Sequence, residues 1–316
     1  MWKYIDKEKS KEFLLSLGLI NDKISDKEKL IKLYSISNKI EDNYKIFNIK
    51  KRNGKLRTIY EPNYSLKEIQ KNILKNILNN KSISNYAKAY HKGINLIDNA
   101  KEHVNKKIIL KLDIKDFFES IEFIDVYNNC FQIEYFPKEI GVLLTHLCTY
   151  ENHLPQGAPT SSYISNLVLK EFDEYIGSIC EQENISYTRY SDDMTFSGDF
   201  TPSFIIKLVR KELLKYNLKL NNKKIHIIKN YQCQKVTGLV VNNKVQTSKT
   251  YRKNIRKEIY YIKKYGLKSH IERIGIKDTK RYLNELYGRV LFVLQINDNS
   301  EFKEYKEYIN KLKIAY

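Results

Sequence analysis

Cysteine is scarce in this chain, and long apolar runs are absent. The four cysteines are far apart in the sequence and form no CxxC pair: Cys130, Cys148, Cys180 and Cys233. Neither a zinc ribbon nor a disulfide framework is therefore predicted. No stretch approaches the roughly 18 to 20 apolar residues that span a bilayer, and the first residues lack the apolar core of a signal peptide. These absences favour a protein of the reducing cytoplasm that has no membrane partner.

Acidic residues are also under-represented. The 316 residues include 56 lysines and arginines against 37 aspartates and glutamates, which gives a formal net charge of +19. A basic excess of this size favours a polyanionic partner, with ordinary surface lysine as the alternative. The 25 tyrosines and 13 phenylalanines suit proteins that stack bases while neutralising phosphates. Hydrophobic residues make up 42% of the chain, enough for a core divided among two or three subdomains.

Local patterns predict a hairpin and two helical regions. The alternating apolar and basic residues of YKIFNIKKRNGKLRTIYEP, around Asn53-Gly54, predict a β-hairpin with a type I′ turn. Ser65 and Glu68 have capping-box spacing, and the isoleucines that follow at four-residue intervals predict a helix to about residue 80. From Thr250 onward the chain is predicted to be helical and strongly basic.

Three carboxylates occupy places where a charge is costly. KIILKLDI indicates a buried strand that ends near Asp113, and ISYTRYSDDMTFSG indicates two short strands with Asp192 and Asp193 at their turn. Like charges repel and burial disfavours the charged form, and a bound cation removes both penalties. Oxygen-only ligands favour Mg²⁺ or Mn²⁺ over zinc. For Asp192-Asp193 taken alone, a plain polar turn is the alternative.

LKLDIKDFF, LPQGAP and YSDD occur in the order and at the separations found in reverse transcriptases, which the chain resembles. The resemblance implies an α/β (α+β) right-hand polymerase fold with fingers, palm and thumb. It implies that Asp113, Asp192 and Asp193 are catalytic metal ligands, that Ile114 is a backbone ligand, and that the cofactor is two ions of Mg²⁺ or Mn²⁺. It also implies a set of nucleotide-binding residues: Lys55 and Arg57 at the triphosphate, Phe118 as the ring that excludes a 2′-hydroxyl, Gln156, and Lys223.

LNNKK leaves open whether Lys223 or Lys224 lies near the pyrophosphate. Two further patterns, NAxxH at residues 99–103 and VTG at residues 236–238, resemble signatures of retron reverse transcriptases. With the basic C-terminal region, they imply a set of residues that bind RNA or DNA: Asn99, His103, Tyr190, Val236, Thr237, Gly238, Arg252 and Arg256.

The retron resemblance implies a cognate structured non-coding RNA as template, synthesis that starts from an RNA 2′-hydroxyl, and branched RNA-linked DNA as product. It also implies deoxynucleoside triphosphates as substrates and a role in phage defence through a separate effector protein. A diversity-generating or intron-type reverse transcriptase is the nearest alternative. An RNA-dependent RNA polymerase is disfavoured by Phe118, and a non-catalytic RNA-binding scaffold by the intact carboxylates.

The predicted organisation has four parts. They are an N-terminal helical segment (1–50), part of the fingers (51–106), the palm with the remaining fingers elements (107–244), and a basic helical thumb (245–316).

Overall fold

The computed structural model describes residues 5–51, 54–90 and 92–315. The chain forms two compact units, each assembled from two stretches of sequence. Unit 1 contains Met1–Ile94 and Leu110–Ile227, and unit 2 contains Asn95–Ile109 and Ile228–Tyr316. A short internal segment therefore folds with the C-terminal part of the chain.

Unit 1 contains both helices and strands, and unit 2 is mainly helical. The α-helices in chain order are α1 (Lys7–Ser16), α2 (Asp26–Asn38), α3 (Tyr64–Asn76), α4 (Leu96–Lys101), α5 (Phe123–Cys130), α6 (Lys138–Cys148), α7 (Ser161–Val168), α8 (Lys170–Gln182), α9 (Pro202–Leu213), α10 (Lys249–Tyr265), α11 (Leu267–Ile274), α12 (Thr279–Ile296) and α13 (Ser300–Ala315). The β-strands are β1 (Tyr44–Lys50), β2 (Leu56–Pro62), β3 (Ile108–Asp113), β4 (Ser186–Tyr190), β5 (Asp193–Gly198), β6 (His226–Lys229), β7 (Lys235–Val236) and β8 (Leu239–Val240).

The strands form one four-stranded sheet and two separate hairpins. The four-stranded sheet has the order β4-β5-β3-β6, and β4 and β5 are antiparallel. β1 pairs with β2 in the first hairpin, from Tyr44 opposite Pro62 to Lys50 opposite Leu56. This register confirms the hairpin that the alternating pattern predicts. Asn53 lies outside the described residues, so the type I′ turn stays a prediction.

The ends of the N-terminal helices are set by short polar side chains. Ser25 and Glu28 form a capping box before α2, because the Glu28 carboxylate accepts from the Ser25 N–H at 2.8 Å and the Ser25 side chain accepts from the Glu28 N–H. At α3 the N-cap is Asn63, whose Oδ1 accepts from the Leu66 N–H at 3.0 Å. The capping box predicted at Ser65 is wrong, since an asparagine two residues earlier satisfies the first turn.

The core of unit 1 lies between the central strands and the helices packed on them. Leu112 of β3, Phe196 of β5, and Phe172 and Ile176 of α8 are fully buried in one cluster. Burial on this scale is the main stabilising contribution, because apolar area removed from water contributes about 25 cal/mol per Å². The strands that carry Asp113 and Asp193 are thus anchored in the interior of the unit.

Unit 2 has two apolar clusters. The larger joins α10, α12 and α13, with Ile259, Leu286 and Phe302 fully buried. The smaller joins residues of α4 to the β7–β8 hairpin. No helix in the described ranges is long and apolar enough to cross a membrane.

The predicted domain boundaries do not coincide with the compact units. β1 ends at Lys50, so the predicted N-terminal segment is helical only in part and includes one strand of the hairpin. The chain enters unit 2 at Ile228 rather than near residue 245, because β7 and β8 pack with α4. The division into fingers, palm and thumb remains a prediction.

Candidate active site

Asp113 is the last residue of β3. Its side chain is 4% exposed, and Leu112 and Ile114 on either side of it are buried. Beyond β3, the Ile114 N–H donates to the backbone carbonyl of Asp192 at 3.0 Å. This hydrogen bond ties the end of β3 to the turn between β4 and β5, so Asp113 and Asp192 lie side by side.

The turn between β4 and β5 consists of Ser191 and Asp192. Tyr190 pairs with Asp193 across the hairpin, which makes Asp193 the first residue of β5. Ser191 has a φ of 62°, in the left-handed region that non-glycine residues seldom adopt. The two-residue turn directs adjacent carboxylates to the end of the sheet where β3 also ends. The structure therefore brings together the three acidic residues that the sequence singles out.

A buried ion pair supports this turn from behind. Arg189 on β4 and Asp173 on α8 are both fully buried, and the Arg189 Nε donates to the Asp173 Oδ1 at 2.8 Å. The Tyr187 hydroxyl donates to the same oxygen, also at 2.8 Å. Arg189 also donates through a terminal nitrogen to the carbonyl of Ser191 at 3.1 Å. The interior of unit 1 thus contacts the acidic turn directly.

Burial and repulsion define the electrostatics at the acidic cluster. Burial raises the pKa of Asp192 above its ordinary value, and the negative charges of Asp113 and Asp193 raise it further. Lys111 partly offsets this repulsion, with its Nζ 3.3 Å from Asp193 Oδ2. Neutralisation is incomplete, and this is the condition under which a bound cation stabilises the ionised form.

Lys224 is the closest cation to Asp113. Its Nζ lies 2.6 Å from Asp113 Oδ2, and the Asn221 side chain donates to the other oxygen at 3.2 Å. Burial alone would lower the pKa of Lys224, but the hydrogen bond to Asp113 and the nearby carboxylates raise it above its ordinary value. Lys223 is exposed. Between the two lysines left open by LNNKK, the one that reaches the carboxylates is Lys224.

The LPQGAP loop packs against the β1–β2 hairpin. The Tyr60 N–H on β2 donates to the Gln156 carbonyl at 2.9 Å. A Cβ at Gly157 would lie 2.7 Å from the Tyr60 carbonyl oxygen and 3.1 Å from a methyl of Ile59, and the φ of Gly157 is +130°. Only glycine allows this approach without strain. Gln156 is therefore held, half-buried, beside β2.

The two basic residues predicted to grip triphosphate lie on that hairpin. Arg57 lies on β2, and Lys55 is the residue just before that strand. Both are exposed. Residues two apart on a strand share a face, so Arg57 shares the face of Ile59, which meets the LPQGAP loop. Phe118 follows β3 and is half-buried, with its ring centroid 5.3 Å from that of Phe117. These placements leave the predicted nucleotide contacts as proposals.

The NAxxH and VTG segments meet in the smaller core of unit 2. Val236 packs in one cluster with Ala100, and the Thr237 hydroxyl lies 3.5 Å from the Leu96 carbonyl. The side chains of Asn99 and His103 are 1% and 0% exposed. Both residues are buried in unit 2, and their predicted contact with RNA or DNA stays a prediction.

The VTG turn itself has an unusual backbone. Thr237 and Gly238 form the two-residue turn between β7 and β8, and their φ angles are 45° and 86°. Both signs match a type I′ turn, although a β-branched residue seldom adopts a positive φ. Gly238 is exposed at this turn, whereas Val236 is buried beneath it. Of the three signature residues, only Thr237 and Gly238 reach the surface.

The two arginines predicted to contact nucleic acid on α10 make contacts within unit 2. Arg256 forms a two-pronged ion pair with Glu301 of α13, at 2.6 Å for the shortest distance. Arg252 donates to the carbonyl of Thr247. Tyr190, predicted to lie against nucleic acid, is half-buried in unit 1, where burial and the neighbouring Tyr90 raise its pKa.

Arg189, Asp173, Asn221 and Lys111 were not predicted as site residues. The sequence did contain a sign that Arg189 is unusual, because this arginine lies inside a predicted strand and arginine is seldom found in a buried sheet. Asp173 lies next to Phe172 on the face of α8 that is buried. Its role depends on the packing of α8 on β4, which local patterns do not reveal.

A sheet that ends in three carboxylates, with lysines beside two of them, is the arrangement expected of a template-directed nucleotidyl transferase of the palm type. The chain matches the family of reverse transcriptases (RNA-dependent DNA polymerases) over residues 49–252. It is 32% identical over 269 residues to the retron Ec86 reverse transcriptase of Escherichia coli, covering 83% of this chain and 78% of the relative. The chain therefore belongs to the reverse transcriptases, and within them to the retron type.

Further relatives agree with this assignment. The retron Se72 reverse transcriptase of Salmonella heidelberg is 34% identical over 68% of this chain, which spans 59% of the length of that relative. Among solved structures, a foamy viral protease-reverse transcriptase in complex with double-stranded DNA has a TM-score of 0.50. It is 14% identical and covers 87% of this chain and 39% of its own, a likeness that shows the polymerase fold alone.

Membership of the family implies a requirement for divalent metal, typically Mg²⁺, and use of an RNA template with deoxynucleotide substrates. Within the described ranges, no three His, Cys, Asp or Glu side chains are arranged as a ready metal cage. Lysines contact two of the three carboxylates instead. The donor set nevertheless fits the ion, because carboxylate and carbonyl oxygens are the ligands of Mg²⁺, and a bound cation would offset the burial and the neighbouring negative charges that raise the pKa of Asp192.

Proposed function

We propose that this retron-type reverse transcriptase copies a cognate structured non-coding RNA, starting from a 2′-hydroxyl of that RNA to give branched RNA-linked DNA. The observation that carries the catalytic part is the convergence of Asp113, Asp192 and Asp193 at one end of the central sheet. The choice of RNA and of primer rests on similarity to retron enzymes. Phage defence through a separate effector protein is proposed on the same basis.

Asp113, Asp192, Asp193 and the Ile114 carbonyl are the groups that would hold two Mg²⁺ ions. When bound, the ions supply activation of the attacking hydroxyl and stabilisation of the leaving pyrophosphate. Lys224 can then leave Asp113, because the carboxylate no longer needs its charge. In that position its ammonium group can donate to the pyrophosphate. We therefore assign to Lys224 the role predicted for Lys223.

The remaining contacts orient the nucleotide. Arg57 lies on the face of β2 that meets the LPQGAP loop and Lys55 directly precedes that strand, so both can neutralise a triphosphate beside Gln156. Phe118 follows Asp113 by five residues, and its ring is proposed to exclude a 2′-hydroxyl by steric contact. Positioning and charge neutralisation account for most of the rate enhancement in this scheme.

RNA recognition is proposed for unit 2. The exposed part of the VTG turn and the basic surface of α10 are its candidate contacts, and Asn99 and His103 are buried in the same unit. Recognition of RNA shape suits exposed turns and cationic helices, which contact phosphates and 2′-hydroxyls without reading base pairs. Arg252 and Arg256 can contribute only if their partners within unit 2 are exchanged for phosphate.

The test is DNA synthesis by the purified protein on an RNA template with an annealed DNA primer, in Mg²⁺. Incorporation of deoxynucleotides is expected to exceed that of ribonucleotides by at least about 100-fold, because Phe118 acts as the gate. The double variant Asp192→Asn, Asp193→Asn is the matched inactive control, and its RNA affinity is expected to stay near that of the wild type. Equal incorporation of both sugars, or synthesis by the double variant, contradicts the proposal.

A further inference from the structure

Arg189 is the largest side chain among the fully buried ones in the described part of the chain. Its ion pair with Asp173 is also completely buried, with 0% exposure on both sides. Charged pairs of this kind are an inefficient way to stabilise a core, because desolvation offsets most of their attraction. A core position filled by a leucine or methionine would serve packing equally well. The pair therefore calls for a reason other than stability.

The geometry of the guanidinium supplies that reason. Two of its nitrogens, Nε and one terminal nitrogen, donate to Asp173, at 2.8 Å and 2.5 Å. The second terminal nitrogen donates to the carbonyl of Ser191 at 3.1 Å. Ser191 has the positive φ that directs Asp192 toward Asp113. The Asp173 carboxylate thus orients a rigid fork whose remaining arm holds the strained residue of the catalytic turn.

The turn is held at two successive carbonyls. Arg189 binds the Ser191 carbonyl from the interior, and the Ile114 N–H binds the Asp192 carbonyl at 3.0 Å. The backbone of β4 is fixed separately, because the Arg189 N–H donates to the Tyr86 carbonyl and the Lys88 N–H donates to the Arg189 carbonyl, each at 2.8 Å. The side chain of Arg189 is consequently not required for strand pairing, so its effect on the turn can be separated from the fold.

We propose that Arg189 and Asp173 are positioning residues for nucleotidyl transfer, which fix the Ser191 carbonyl and thereby the direction of the Asp192 carboxylate. The proposal rests on the assignment of Asp192 as a metal ligand. Tyr187 contributes by donating to Asp173, which keeps that carboxylate aligned with the guanidinium. Partners that orient metal ligands in this way typically affect metal affinity or rate by about 10- to 100-fold.

The decisive variant removes the network without leaving an unpaired buried charge. Asp173→Leu, Tyr187→Phe and Arg189→Met together replace all three polar partners by apolar groups of similar volume, a change that folds tolerate. Two readouts are compared with the wild type: Mn²⁺ affinity of the protein without nucleic acid, measured by electron paramagnetic resonance, and kcat against KM for the nucleotide. Thermal unfolding gives the stability of each variant.

Mn²⁺ binding is expected to weaken by about 10-fold and kcat to fall by about 100-fold, with KM for the nucleotide within a factor of three. Gln70→Leu is the matched control, since Gln70 is fully buried in unit 1 but bonds to Tyr44 and Leu147. It is expected to leave Mn²⁺ affinity unchanged. A folded triple variant with wild-type affinity and kcat would reduce the network to core packing and overturn the proposal.

If the triple variant does not fold, Arg189→Lys decides the question. Lysine keeps the charge opposite Asp173 but lacks the fork that reaches both Asp173 and Ser191. A folded Arg189→Lys protein with weakened Mn²⁺ binding supports the proposal, and one with wild-type binding overturns it. Because Mn²⁺ binding is read without synthesis, and Asp192→Asn reports whether the cluster binds the ion at all, failure of the proposed polymerase function is recognised separately.

Discussion

The β1–β2 and β4–β5 hairpins of unit 1 differ in how far their residues are buried. In β4 and β5, which carry the acidic turn, most residues are buried on both faces. In β1 and β2 most are exposed, including Ile46 at 50%, Ile49 at 49% and Leu56 at 58%. The β4–β5 hairpin has α8 and two further strands, β3 and β6, around it, and the β1–β2 hairpin contacts the LPQGAP loop along β2.

This contrast separates two tasks. Metal ligands must be held within a fraction of an ångström, so they are placed on strands whose register is fixed by burial on both faces. Residues that grip a triphosphate must admit a substrate and release a product, which suits an exposed hairpin with few buried contacts. Substitutions at the acidic turn are therefore expected to affect rate most, and substitutions on the exposed hairpin to affect nucleotide affinity.

The largest effect is expected at the acidic turn. Asp192→Asn should reduce DNA synthesis by more than about 1,000-fold. The variant loses a carboxylate that is proposed to hold both metal ions, the one that activates the attacking hydroxyl and the one that stabilises the leaving pyrophosphate. Single-nucleotide extension in Mg²⁺ measures this. Asp199→Asn, an exposed carboxylate just beyond β5, is the control, and substantial residual synthesis by Asp192→Asn would contradict the buried hairpin as the catalytic one.

The same substitution should stabilise the metal-free protein. Burial and neighbouring charges raise the pKa of Asp192 in the folded state, so the contribution of its neutral form is present at low pH and is lost as pH rises through that pKa. Asparagine stays neutral throughout. Asp192→Asn is thus expected to unfold at a higher temperature than the wild type at pH 7 without metal, and to match it at low pH. A lower midpoint at pH 7 would show that Asp192 is stabilised by its surroundings.

The next prediction concerns the contact between the exposed hairpin and the LPQGAP loop. Gly157→Ala places a methyl group 2.7 Å from the Tyr60 carbonyl at a φ of +130°. Relief of this clash requires the loop to leave β2, with a loss of about 1 to 3 kcal/mol in stability. Synthesis should fall by about 100-fold because Gln156 is displaced. Gly275→Ala, at a φ of +71° with open space around it and outside this hairpin, is the control; equal loss in both would mean that backbone strain at a positive φ, rather than this contact, matters.

Local sequence patterns, each confined to a short segment, predicted the main strands of unit 1. The strand before Asp113, the hairpin with its two adjacent carboxylates and the exposed hairpin were all recognisable, because alternation and turn composition are local properties. Family motifs predicted a set of site residues, and the structure brings three of them, Asp113, Asp192 and Asp193, together. The wrong capping box at Ser65 is also a local matter. Asn63 and Ser65, two residues apart, can both serve as an N-cap, and Asn63 is the residue that caps α3.

Contacts between distant segments were not predictable in the same way. Asp173 and Arg189 are 16 residues apart and meet only because α8 packs on β4. Whether Lys223 or Lys224 faces Asp113 depends on the rotation of a short 3-10 helix, Asn222–Lys224, which apolar periodicity does not determine. The burial of Asn99 and His103 likewise depends on the union of Asn95–Ile109 with the C-terminal part of the chain.

Adjacent lysines provide the third test. Lys224→Ala removes the ammonium group that lies 2.6 Å from Asp113, and kcat is expected to fall by about 10- to 30-fold because the pyrophosphate loses a donor. Lys223→Ala removes the same charge from the preceding residue and leaves the pair of Lys224 with Asp113 in place, so it should change kcat by less than about threefold. Pre-steady-state kinetics with saturating nucleotide measure both. The reverse order of effects would restore Lys223 to the role predicted from the sequence.

The smallest effect is expected on the exposed hairpin. Lys55→Ala or Arg57→Ala should each raise KM for the nucleotide by about 5- to 10-fold, since one charge-assisted contact to the triphosphate is lost. Neither should change the unfolding temperature noticeably, because both side chains are exposed. Lys45→Ala, exposed on β1 at the far end of the same hairpin, is the charge-matched control. A fall in kcat at constant KM for Lys55→Ala would mean that the exposed hairpin takes part in the rate-limiting step, and the division of tasks between the two hairpins would then fail.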